Sequence, residues 1–116
     1  MSKTREELVN EALTILGANP AGQEPSAEDY AHVDGKVEPV LDDLAARGVT
    51  VSSPSDIADE AFTHLASVLA YHSRGYFGVV GGESEALQSA MLLAERQLRM
   101  QSRRTTLYNP VRAEYY

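Results

Sequence analysis

The stretch Ser53–Phe77, SPSDIADEAFTHLASVLAYHSRGYF, constrains the fold more than any other part of the chain. Apolar residues recur at Ile57, Ala58, Ala61, Phe62, Leu65, Val68 and Leu69. This is helical spacing, and it gives a wide apolar face that must touch more than one neighbour. Ser53 is placed to cap the helix, Pro54 suits its first position, and Asp56 complements its dipole. At about 1.5 Å per residue the helix spans roughly 35 Å, the length of a small domain. The stretch is expected to be the central helix of a bundle.

The rest of the 116 residues supplies its partners. A chain of this size is expected to form one domain and to bury roughly two thirds of its unfolded surface. A first helix is expected from Arg5 to Leu16. Thr4 and Glu7 make a T-x-x-E capping box, Leu8, Val9, Ala12, Leu13, Ile15 and Leu16 form the apolar face, and Gly17 stops it. The loop ANPAGQEP follows. A second helix starts at Ser26, with Tyr30, Val33, Val37, Val40, Leu41 and Leu44 at 3- and 4-residue steps. Gly35 weakens it, and Pro39 is expected to kink or break it near 36–38, so two shorter helices are an alternative. Arg47 and Gly48 mark its end, and Val49–Val51 is briefly extended. A fourth helix is expected from Glu83 to Arg103, with Leu87, Met91, Ala94 and Leu98 facing inward.

Chemistry finds little to work with. There is no cysteine, which excludes disulfides and thiolate sites. His64 and His72 lie near one helical face without a carboxylate to complete a metal site, and His32 stands apart. Asp42–Asp43 and Asp59–Glu60 are adjacent pairs, which diverge by about 100° on a helix and do not converge on a substrate. The glycines of GYFGVVGGE do not match a phosphate-binding pattern and are expected to make a turn. No enzyme activity and no cofactor is expected. No apolar run approaches the ~20 residues needed to cross a bilayer. The charged opening MSKTREELVNE has no signal-peptide core, so a cytosolic origin is expected.

Charge is unevenly spread. Residues 1–60 carry 13 acids against 4 bases, and residues 61–116 carry 4 acids against 6 bases. The total of −7 argues against nucleic-acid binding by the chain as a whole. The asymmetry suits head-to-tail contact between copies or an acidic partner for the C-terminal part; chance spread over a solvated surface is the alternative. Arg96, Arg99 and Arg103 form one basic stripe on the fourth helix, either a solvated face or an interface, and Glu95 can pair with Arg99. The final segment, RTTLYNPVRAEYY, loses the helical period at Pro110 and favours an extended conformation. Its tyrosines and arginines are typical interface anchors, so it reads as a docking arm, with a frayed terminus as the alternative.

The order of these elements resembles phage head-to-tail adaptor proteins, the tail accessory factor of the short-tailed P22-like phages and the related head-completion adaptors. That family opens on a D/E-L-V-x-x-A-L-x-x-L-G pattern, here Glu7, Leu8, Val9, Ala12, Leu13, Leu16 and Gly17. A V-x-x-L-x-x-L run follows, here over residues 37–44, then a glycine at Gly48. A long helix comes next, of the form A-x-x-x-L-A, here Ala61–Ala66. A fourth helix and a basic, proline-bearing arm close the chain, here from Arg103 to Pro110. The resemblance implies a structural virion protein, made in the host cytoplasm and residing at the head-tail junction. It further implies a ring of about twelve copies under the portal. The arm would insert between portal subunits, a downstream tail protein would bind below, and DNA in the channel would be touched weakly at most. Cell-wall hydrolysis, linked to longer members, is not carried over.

The expectation is therefore an all-α, four-helix bundle (residues 1–103) with an extended C-terminal docking arm (residues 104–116). Portal contact is expected at Arg96, Arg99, Arg103, Arg104, Leu107, Tyr108, Pro110, Val111, Arg112, Tyr115 and Tyr116. The alternative is a small helical DNA-associated or regulatory module that uses the basic stripe.

Overall fold

The computed structural model describes residues 2–18, 26–49 and 57–107, with side chains from Lys3 to Gln101. Four helices form an all-α arrangement: α1 (Arg5–Ile15), α2 (Ala27–Ala46), α3 (Asp59–Ser73) and α4 (Gly82–Leu107). Two short strands, β1 (Ser2–Lys3) and β2 (Ile57–Ala58), pair antiparallel with Ser2 opposite Ala58 and Lys3 opposite Ile57.

The helix ends follow local chemistry. Thr4 accepts a hydrogen bond from the Glu7 amide, and the Glu7 carboxylate accepts one from the Thr4 amide at 3.0 Å, so the capping box is complete. Ser26 caps α2 by accepting from the Asp29 amide at 3.1 Å. Both α1 and α2 close in a Schellman motif. The Ala18 amide donates to the Leu13 carbonyl and the Val49 amide to the Leu44 carbonyl, with Gly17 and Gly48 at positive φ. Val49 is fully buried, so the second motif also returns an apolar side chain to the core.

α3 is the central helix, in contact with the other three. Leu65, Ala66, Val68, Leu69 and Ala70 are all buried on it. It starts later and ends sooner than expected. Ser53, Pro54 and Asp56 lie outside the described residues. Ile57 and Ala58 are strand, and Ala58 caps α3 with no side-chain hydrogen bond. Pairing with residues 2 and 3 fixes this end instead, and Ile57 is buried beneath it. At the other end Arg74 to Gly78 form turns, with Gly78 at positive φ. Fifteen residues make α3 about 22 Å long, not 35 Å.

α2 also departs from expectation: it is one helix through Pro39. Pro39 and Gly35 are both exposed. The Gly35 carbonyl that loses its usual N–H partner to proline therefore faces water, where hydration replaces the bond at small cost. Buried Val33, Val37, Val40 and Leu44 hold the helix together on its other side.

Arg5 ties α1 to α2, donating from Nε to Asp34 Oδ1 at 2.7 Å and from Nη1 to Glu38 Oε2 at 3.1 Å. α4 lies mainly on α3, through Met91, Ala94 and Leu98. Its 26 residues give it a length of about 39 Å, the longest element of a molecule measuring 51 × 28 × 21 Å. It runs four residues past Arg103, so 104–107 are helical where an extended arm was expected. Thr and Leu there tolerate the helix already established by the preceding turns. No helix among the described residues is long and apolar enough to cross a membrane.

A candidate interaction surface on α4

α4 has two faces of different chemistry. The inner one is the expected stripe, with Leu87 half-buried and Met91, Ala94 and Leu98 buried. The outer one exposes Leu92 (56%), Leu93 (62%) and Met100 (46%). Three of the large apolar residues most exposed among the described ones therefore sit on this helix. Ala86, Leu93 and Met100 are spaced by seven, so they fall on one line along it.

Of the expected basic stripe, Arg96 is exposed and has no acidic partner among the described residues. Arg99 is half-buried, and its Nη2 lies 3.7 Å from Glu95 Oε1, the pairing expected across one turn. Arg103, Arg104 and Leu107 are in α4 by backbone. Tyr108, Pro110, Val111, Arg112, Tyr115 and Tyr116 lie outside the described residues.

Sequence reasoning missed what Glu95 does besides. It is 6% exposed, and Arg47 at the end of α2 donates from Nη1 to its Oε1 at 2.7 Å. The same guanidinium donates from Nη2 to Asp43 Oδ2 at 2.7 Å. One arginine thus locks α2 to α4 across the end of the bundle. Each is a charge-assisted hydrogen bond, stronger than one between neutral groups. No local motif announces a pair 48 residues apart.

The turn between α3 and α4 is also tied down. Arg74 stacks over the Tyr71 ring at 3.9 Å and donates from Nε to Ser84 Oγ at 3.1 Å. Tyr76 stacks on His32 of α2 with ring centroids 4.0 Å apart. The glycine-rich segment is a turn, as expected. A cleft of about 250 Å³ opens beside it, lined by Ile15, Leu16, Val79, Glu83, Ala86 and Leu87.

His64 is half-buried on α3, and His72, near its end, feels the charges of Asp43, Arg47 and Glu95. His72 is exposed by surface area, yet enough protein surrounds it to lower its pKa by desolvation. Among the described residues no three His, Asp or Glu side chains are grouped to hold a metal ion. The outer face of α4 thus combines exposed Leu92, Leu93 and Met100 with Arg96, which has no acidic partner among the described residues, a composition common in protein interfaces. No family model, no curated protein and no solved structure matches the chain.

Proposed function

We propose that the chain is a structural adaptor of a phage head-to-tail junction, forming a ring beneath the portal and linking it to the tail. The observation that carries this reading is the outer face of α4, apolar and basic at once on the longest helix. Such a face suits contact with another protein more than solvation alone. Two further features agree with it. The segment matching the adaptor opening is a core helix, with Leu8, Val9, Ala12 and Leu13 buried. The described residues hold four helices, the number that the resemblance implies.

The DNA-associated alternative draws less support, because Arg99 is engaged with Glu95. It requires a duplex affinity that falls steeply with salt.

The test is native mass spectrometry of the chain mixed with the portal ring of the same genome, with and without residues 108–116. The full chain is expected to bind with about one copy per portal subunit. The truncated chain, which retains all of α4, is expected to keep its helical circular dichroism and lose the portal. A full chain that ignores the portal, or a truncated chain that binds it equally well, overturns the reading.

A further inference from the structure

α2 carries a surface that complements the outer face of α4. Glu28, Ala31, Gly35, Pro39, Asp42 and Ala46 recur at 3- and 4-residue steps, and all are exposed. The stripe contains no large apolar side chain. A Cβ built at Gly35 would meet nothing within 4 Å, so another helix can approach closely there. Pro39 removes the N–H that would normally bond the Gly35 carbonyl, which offers a backbone acceptor on the same face. Glu28 and Asp42 have no basic partner among the described residues. Large apolar knobs around an unpaired cation thus face small residues between unpaired anions.

We infer that the outer face of α4 in one copy docks through Leu93, Arg96 and Met100 onto Ala31, Gly35 and Asp42 of α2 in the next. The inference deepens the ring reading and rests on it. Charge and size both favour this occupant over a second α4. Two α4 helices face to face would oppose knob to knob and bring like guanidinium groups into one interface. Within one copy, α2 and α4 both pack on α3 and present these faces outward. The contact is therefore heterologous: each copy uses one face to give and another to receive, and repetition closes a ring or runs on as a filament.

The absence of cysteine makes the test clean. Ala31→Cys and Leu93→Cys are introduced together and singly, and each full chain is treated with a short bis-maleimide at high concentration. The double variant is expected to give a ladder of dimers, trimers and longer products, and each single variant to remain monomeric. Arg96→Glu is expected to reduce the ladder several-fold, and adding Asp42→Arg to restore it. Circular dichroism confirms that every variant is folded. No ladder, dimers from Leu93→Cys alone, or a ladder indifferent to Arg96→Glu would each overturn the inference. Portal binding separates this from the parent reading. A chain that binds the portal without the ladder loses only the α2–α4 contact. A ladder without portal binding leaves self-association standing and removes the adaptor role.

Discussion

α2 and α4 are both amphipathic helices laid on α3, and they differ in what they do with the face turned away. On α2 that face is acidic and small, with no large apolar residue exposed. On α4 it keeps Leu92, Leu93 and Met100 in water. Each leucine held there forgoes part of the ~1.5–3 kcal/mol that burial would contribute. A helix needs one apolar stripe to join a bundle. The second stripe of α4 is surplus to the fold, which leaves it available to a partner.

The largest effect expected from this contrast lies between leucines. Leu65 on α3 is 1% exposed at the centre of the core, and Leu93 is 62% exposed. Leu65→Ala is expected to cost about 3 kcal/mol, through lost transfer energy and the cavity left behind. Leu93→Ala is expected to change unfolding by less than about 0.5 kcal/mol. Urea unfolding of both variants at low protein concentration checks the pair. A comparable loss for Leu93 would mean that the outer stripe belongs to the core.

A smaller effect is expected where the two regions are tied. Arg47→Ala leaves the Glu95 carboxylate, 6% exposed, with only the more distant Arg99 beside it. A buried charge that loses its hydrogen-bonded partner is costly, and the half-exposed arginine moderates the loss, so about 2 kcal/mol is expected. Glu95→Gln in the Arg47→Ala background should recover part of it, since the stranded charge is then gone. Thermal unfolding of the single and double variants gives the coupling. Additive losses would show that α2 and α4 are not locked by this contact.

Much of the fold could be read from the sequence, because it rests on signals only a few residues apart. The capping box of Thr4 and Glu7, the glycines after α1 and α2, and the 3–4 spacing of Val33, Val37, Val40 and Leu44 are of this kind. The misreadings share a cause. Pro39 is tolerated because its side of α2 faces water, which depends on where the rest of the chain lies. The start of α3 is set by pairing with residues 2 and 3, more than 50 positions away. The candidate surface was half legible. The arginine stripe was visible, but Leu92, Leu93 and Met100 look like core until the partner on the opposite side of α4 is known. The Arg47–Glu95 contact has no local signature.

The smallest effect expected is on pH, and it sharpens the account of the α2–α4 tie. His72 lies within electrostatic range of Arg47, Asp43, Glu95 and Arg74, and its pKa is lowered chiefly by desolvation. Asp43 and Glu95 push the other way, while Arg47 and Arg74 add to the lowering. A histidine whose folded pKa lies below its unfolded value near 6.5 favours folding while neutral. Its contribution is whole above that value and is lost as pH falls through it toward the lower folded pKa. Because the ring is exposed, solvent screening keeps the effect small. The melting temperature is expected to fall by about 1–2 °C between pH 7.5 and 5.5, and His72→Gln to flatten that slope. Arg47→Ala removes a cation from beside the ring, so it should raise the His72 pKa and weaken the pH dependence. NMR titration of the ring reads this directly. An unchanged His72 titration in Arg47→Ala would place the histidine outside the electrostatics of the tie.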